Sequence, residues 1–321
     1  MKKALFIRLD KIGDLICTLP VDQVQLLRDW DVTWVIAKGL AFIPENSVPP
    51  RKFIELDKND SVAGRKILED YIRDFQPDVA ISFQAPWWVN FALWKNHIAK
   101  RIGVTSKWHS LLFLNMGVRQ KRSRAIKHEA DYNLDLVRQL DPQRVIEKSA
   151  PVLRLKAPAH PELLQLHNLL SKRFMIVHPG MAGSALNWPT ENYIELIKRL
   201  SINYKVVLTG TPADEPWLSE IKTGFAQDPQ VLNLQSMLNP SELLYLLSEA
   251  DSVFAPSTGV LHLAASLGTR VFGFYSLIRV QTQTRWAARG PDVHLFSPIA
   301  GSPDSESMRT ITVDRVLKEL T

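Results

Sequence analysis

The stretch Ile7-Arg8-Leu9-Asp10-Lys11-Ile12-Gly13-Asp14-Leu15-Ile16-Cys17-Thr18-Leu19-Pro20 decides the fold class. It closes a short apolar run, residues 4–9, of strand length; Gly13 permits a close turn, and residues 15–29 read as a helix. A strand that turns into a helix opens a βαβ unit, and the same order recurs outward from it. Residues 32–37 and 53–56 are the next strands, 62–75 a helix, and 79–83 a strand after the Pro77-Asp78 turn. Residues 151–161 (PVLRLKAPAHP) carry three prolines and break the rhythm, as an approach to a linker does. Alternation then restarts, with strands at 174–178, 204–209, 252–255 and 271–275 and helices at 190–200, 216–227, 240–249 and 259–267. Strands alternating with helices imply parallel sheets joined by right-handed crossovers, so the chain is α/β, and the pattern is doubled.

The length of 321 residues suits two domains of about 150 residues each. An apolar fraction of 45% and a charged fraction of 22% belong to an ordinary globular protein. A single cysteine, Cys17, excludes a disulfide framework and a cysteine-based zinc site, and fits a reducing compartment. The opening Met1-Lys2-Lys3-Ala4-Leu5-Phe6-Ile7 begins like a signal peptide, but Arg8 and Asp10 interrupt the apolar run too early. With no uninterrupted apolar run near the roughly 18 residues of a membrane span, a cytoplasmic location is expected. The net charge of +6 suits an anionic partner, although solubility alone accounts for it equally well. Much of that charge sits in residues 95–127, where Lys95, Lys100, Arg101, Lys107, Arg119, Lys121, Arg122, Arg124 and Lys127 alternate with Trp108 and Phe113.

Four loops after strands carry candidate chemistry. Asp14, with Gly13 before it, lies where ligands bind in open α/β sheets, at the carboxyl edge; an ordinary helix N-cap is the competing reading. The segment Pro256-Ser257-Thr258-Gly259-Val260-Leu261-His262 places small polar residues and unpaired N–H groups at a helix start, which favours phosphate. A plain cap with His262 packed on the helix is the alternative. The loop from His178 to Pro189 contains Gly180, Gly183, Ser184 and Ala185, small enough for a phosphate or sugar to approach the backbone. In Thr209-Gly210-Thr211-Pro212-Ala213-Asp214, the acid either accepts from ribose hydroxyls or caps a helix. No GxGxxG follows the first strand, which disfavours a nicotinamide dehydrogenase.

In their order, IRLDKIGDLICTLP, HPGMAGSALNWP, LTGTPADE and PSTGVLHLAASLG resemble the motifs of glycosyltransferase family 9, the bacterial heptosyltransferases. The resemblance covers most of the chain apart from residues 85–125. It implies a GT-B fold, two Rossmann-like domains with parallel sheets facing an interdomain cleft, and a metal-independent reaction with no cofactor. It places an acceptor-binding domain at 1–158 and a nucleotide-sugar domain at 159–310, with a helix at 311–321 packing back on the first. It makes Asp14 the general base of an inverting transfer. Donor contacts fall to Gly13, His178, Gly180, Gly183, Ser184, Ala185, Thr209, Gly210, Asp214, Leu238, Ser257, Thr258, Gly259 and His262. Two departures stand out: Ser257 replaces the family's aspartate, and Ala185-Leu186-Asn187 occupies the place of a frequent lysine.

The expected donor is a nucleotide sugar such as ADP-heptose, and the acceptor an anionic glycolipid of the lipopolysaccharide core. Arg8, Lys11, Lys107, Arg119, Lys121, Arg122 and Arg124 are the candidate acceptor ligands. The resemblance allows peripheral contact with the inner membrane surface, and no nucleic-acid partner is expected, since no binding module accompanies the basic cluster. A sugar-nucleotide hydrolase or epimerase, and a non-catalytic glycan-binding relative, remain as alternatives.

Overall fold

The computed structural model describes residues 1–144, 147–170, 173–181, 183, 185–299, 301 and 304–320. The chain divides into two compact units. The first comprises Met1–Arg122 and Lys127–Leu153, the second Ser123–Ile126 and Arg154–Thr321.

The first unit is built on β1 (Lys2–Arg8), β2 (Trp30–Ala37), β3 (Lys52–Leu56), β4 (Val79–Gln84), β5 (Lys100–Val104) and β6 (Met116–Val118). The second holds β7 (Phe174–Val177), β8 (Lys205–Leu208), β9 (Val231–Asn233), β10 (Ser252–Pro256), β11 (Val271–Phe274) and β12 (Val293–Phe296). Each set forms one parallel six-stranded sheet, ordered β3-β2-β1-β4-β5-β6 and β12-β11-β10-β7-β8-β9. The central strands are covered on both faces, which is why β1 and β7 read as unbroken apolar runs, not alternating ones. On one face of the first sheet Leu5, Ile7 and Leu9 pack against Leu68, Ile72, Trp88 and Leu93. In the second unit Trp188 stacks on Phe274 with ring centroids 4.1 Å apart, and its indole N–H donates to Ile311 O at 2.8 Å.

Both sheets grow outward from a central pair, β1 with β4 and β7 with β10. Leu9 N donates to Gln84 O at 3.3 Å, and His178 N to Phe254 O at 2.9 Å, just past the ends of those strands. Where the strand order reverses, successive loops leave toward opposite faces and open a crevice at the carboxyl edge. Asp14 follows β1 and Thr258 follows β10, so each lies at its sheet's switch point.

One expectation is corrected. The helix expected at 15–29 is only Ile12–Ile16, followed by 3₁₀ turns at Leu19–Gln23 and Gln25–Leu27. Pro20 has no N–H to continue the ladder, and the Thr18 hydroxyl donates to Asp14 O at 2.6 Å where the helix ends. In the second unit Ile311, Val313 and Val316 are buried in the core beside Trp188 and Leu196. The basic stretch 95–127, for which the sequence suggested no elements, contains β5, β6 and the helix Trp108–Phe113. Its strands are short and begin with Lys100-Arg101 or contain Gly117, so neither shows a period of two.

Candidate active site

In the first unit the crevice is organised by Arg8, whose side chain is only 3% exposed at the end of β1. Its Nη2 donates to Asp14 Oδ1 in a short contact, its Nε lies 3.0 Å from Asp10 Oδ2, and its Nη1 lies 3.5 Å from Glu129 Oε1. Burial alone would weaken the hold of this guanidinium on its proton. Asp14, Glu129 and Asp10 outweigh that and keep its pKa above the ordinary arginine value. Asp10 behaves in the opposite sense: burial, helped by Asp14, lifts its carboxyl above the usual range despite Arg8. Asp14 is not an N-cap. Lys11 occupies that position, Gly13 is the second residue of the helix Ile12–Ile16, and the Asp14 side chain turns to Arg8.

The basic residues expected to meet the acceptor separate into two groups. Arg8 is buried and surrounded by the carboxylates of Asp10, Asp14 and Glu129. Arg122, half-buried, is tied to Glu129 Oε1, to Asn133 Oδ1 at 3.1 Å and to Gln120 Oε1 at 2.7 Å. Lys11, Lys107, Arg119, Lys121 and Arg124 are exposed. Lys107 opens the helix Trp108–Phe113, whereas Arg119 and Lys121 follow β6, and Arg124 belongs to the segment grouped with the second unit.

In the second unit three loops meet at the carboxyl edge. The helix Gly259–Leu267 begins at Thr258, whose side chain makes no capping bond. The Thr258 Oγ1 is buried with no hydrogen-bond partner among the described residues. The first N–H groups of a helix have no intrahelical acceptor, so this uncapped end offers donors and a hydroxyl to an anion. Ser257 is half-buried beside it, its N–H given to Phe274 O at 3.1 Å, while His262 is buried one turn into the helix.

His178 is buried after β7 with Nδ1 3.0 Å from Thr209 Oγ1; burial, opposed by Asp214, lowers its pKa to about 4 and leaves the imidazole neutral. Asp214 caps: its Oδ2 accepts from Thr211 N at 2.9 Å and from Thr211 Oγ1 at 2.7 Å. Its side chain also fills the space beside Gly180, while Gly210 is closed in by Leu218. Gly183 has φ +69° and open space around it, so glycine is required there for backbone conformation alone. Ser184 lies outside the described residues. Ala185 is half-buried, and Leu238 directly precedes the Asn239 cap of the helix Pro240–Glu249.

Several residues that hold these loops were not among the candidate site residues. Leu186 packs against the apolar core, and its N–H donates 3.0 Å to Gln281 Oε1, joining the loop after β7 to the loop after β11. Asn187 donates to Pro179 O at 2.6 Å and accepts from Trp188 N and Tyr193 Oη, pinning the same loop from below. In the first unit Glu129 and Asn133 do comparable work. Among the described residues no group of three or more His, Cys, Asp or Glu side chains is placed to hold a metal ion. No helix among them is long and apolar enough to cross a membrane.

Comparison with known proteins agrees with this architecture. A Haemophilus influenzae protein named as a glycosyltransferase is 30% identical, with all of this chain and 96% of the relative aligned. The structure of a family 9 glycosyl transferase from Veillonella parvula superposes with a TM-score of 0.82 at 18% identity, covering 99% of this chain and 95% of that one. An ADP-heptose lps heptosyltransferase II from E. coli does so with 0.80 at 18% identity, covering 100% and 97%. The shared fold is GT-B. The model of glycosyltransferase family 9 (heptosyltransferase) matches residues 67–306, and the chain belongs to that family.

Proposed function

We propose that this glycosyltransferase moves heptose from ADP-heptose to a hydroxyl of a lipopolysaccharide core or related anionic glycolipid, with inversion and without a metal. The carrying observation is that one chain holds both a buried-arginine-anchored carboxylate, Asp14, and an uncapped helix start with an unpartnered buried hydroxyl, Thr258. Each lies at the carboxyl-edge switch point of its own sheet. The similarity to the E. coli ADP-heptose lps heptosyltransferase II supports ADP-heptose as the donor.

In this reading the acceptor oxygen attacks the anomeric carbon while Asp14 takes its proton, a general-base step worth about 10²–10⁴-fold in rate. The bond from that carbon to the diphosphate oxygen breaks, and its electron pair leaves with ADP. N–H groups of Gly259 and its neighbours, with the Thr258 hydroxyl, stabilise the charge gained by the leaving group. Neutral His178 is available to hydrogen-bond without adding charge. Lys11, Lys107, Arg119 and Lys121 meet acceptor phosphates, and an exposed aromatic face on Trp87, Trp94 and Trp108 rests on the membrane where the acceptor lies.

The test is to incubate the protein with ADP-heptose and other nucleotide sugars, a truncated phosphorylated lipid-core acceptor and EDTA, and follow transfer by mass spectrometry. Acceptor-dependent mass gain, lost in Asp14→Asn, supports the reading; nucleotide release that ignores the acceptor points to a hydrolase. One observation favours a non-catalytic glycan-binding relative: Leu186, where the family often has a lysine, is packed on the apolar core. That alternative predicts no turnover with any donor, and glycan binding that survives Asp14→Asn.

A further inference from the structure

Glu129 is 1% exposed at the first position of the helix Glu129–Val137, yet no motif gives it a task. A carboxylate is rarely buried unless paired, and Glu129 stands between two guanidiniums. Its Oε1 lies 3.5 Å from Arg8 Nη1 and accepts a short hydrogen bond from Arg122 Nη1. Arg8 holds the Asp14 carboxylate with its other terminal nitrogen. Arg122 donates from Nη2 to Asn133 Oδ1 at 3.1 Å, and Asn133 Nδ2 donates to Thr18 Oγ1 at 2.9 Å. That hydroxyl donates to Asp14 O at 2.6 Å. The contacts therefore form a closed circuit that grips Asp14 twice, by its side chain through Arg8 and by its backbone through Thr18.

We propose that Glu129 is a positioning residue for sugar transfer: it fixes Arg8 from behind and couples it, through Arg122 and Asn133, to the backbone of Asp14, so that the Asp14 carboxylate keeps one direction toward the acceptor hydroxyl. The proposal rests on the transferase reading with Asp14 as base. Without Glu129, Arg8 keeps only Asp10 and Asp14, and can swing between them. Charge adds a second consequence. Asp10, Asp14 and Glu129 outnumber Arg8 and Arg122, which leaves the cluster one negative charge in excess. Lys58 acts on Asp10 from the loop after β3, Lys11 is exposed on the adjoining turn, and buried His128 caps the helix of Glu129. Burial, with Asp14 and Glu129, holds the Asp10 carboxyl above its usual range, so removing the Glu129 anion lets Asp10 release its proton at lower pH.

Glu129→Gln and Glu129→Asp are compared with the wild type in transfer from ADP-heptose to a truncated phosphorylated lipid-core acceptor. The glutamine variant is expected to lose on the order of tenfold to a hundredfold in kcat, keep its donor KM within about twofold, and show an acid limb displaced to lower pH. The aspartate variant restores most of the rate. Full activity in Glu129→Gln, or an equal loss in both variants with the limb unmoved, overturns the proposal. Should Glu129→Gln not fold, Asn133→Ala breaks the circuit without burying an unpaired charge; a fall in kcat of several-fold supports the proposal, and an unchanged kcat overturns it. Carbon-13 NMR of labelled aspartates supplies a readout independent of turnover. Titration of the Asp10 signal at lower pH in Glu129→Gln supports the circuit and an unaltered one refutes it, even if the wild type transfers nothing and the transferase reading fails.

Discussion

Gly180 and Asp214 lie so close that a Cβ added to Gly180 would sit 2.5 Å from Asp214 Oδ1. The two residues lie in the loops after different strands, β7 and β8, and their contact seats the loop after β7 on the Thr211–Asp214 cap. Asp214 cannot yield freely, because both Thr211 bonds hold its other oxygen. Gly180→Ala is therefore expected to cost about 1–3 kcal/mol, the usual range for overpacking. Gly183→Ala, which meets no neighbour but has φ +69°, should cost about 1 kcal/mol through backbone strain alone. Urea unfolding of the two variants checks the order; equal costs would mean that the Asp214 contact is soft.

Thr258→Val should separate binding from folding. Its hydroxyl is buried and has no hydrogen-bond partner among the described residues, so replacing it with a methyl of the same shape leaves stability unchanged or raises it by up to about 1 kcal/mol. If that hydroxyl meets the diphosphate, ADP affinity falls about fivefold to tenfold at the same time. Calorimetric titration with ADP beside thermal melts reads both signs. Unchanged ADP affinity removes Thr258 from the donor site.

His178 sets an acid-side stability limit. Its folded pKa of about 4 lies below the 6.5 of the unfolded chain, because burial disfavours the cation. Between those values the unfolded state binds a proton that the folded state refuses. Stability is thus complete above about pH 6.5 and falls as the pH drops toward 4, by at most about 3 kcal/mol. His178→Asn should flatten this part of the profile in urea unfolding at pH 7 and pH 4.5. Parallel losses in variant and wild type would assign the acid sensitivity elsewhere.

The helices Trp87–Lys95 and Trp108–Phe113 leave Trp108, Leu111 and Leu112 64%, 68% and 64% exposed. Phe91 of the first helix packs edge-on to Phe113 of the second with centroids 5.5 Å apart, which joins the two helices. A contiguous apolar face next to Lys107 suits an anionic lipid surface. Trp108→Ser with Leu111→Ser should leave the melting temperature within about 2 °C, since both side chains already face water, and reduce sedimentation with phosphatidylglycerol vesicles about tenfold. Undiminished sedimentation would exclude this face as the membrane contact.

How far the sequence was legible depended on the range of each interaction. The α/β alternation was readable because strand runs, prolines and caps are local; the helix Gly259–Leu267 and β7 lie where periodicity places them. The strands β5, β6, β9 and β12, at or next to a sheet edge, were not, since they are short and owe their strand state to a neighbour. The Ile7–Pro20 motif placed Asp14 at the sheet edge, but nothing local distinguished an N-cap from a carboxylate held by Arg8. Arg8 and Arg122 looked like surface cations for the same reason: their charge is written in the sequence, their burial is not.

The sequence by itself determined two α/β units, the loops that carry the candidate site residues, and the family. Those follow from local periodicity and from motifs a few residues long. Only the tertiary structure decided which charges meet. Arg8, Asp14, Arg122, Glu129 and Asn133 become neighbours because helix Glu129–Val137 packs beside the edge of a sheet whose order sets β1 next to β4 and β5 beyond it. A buried ion pair between residues so far apart in the chain arises from closing long loops and excluding water, and neither leaves a mark on the local pattern.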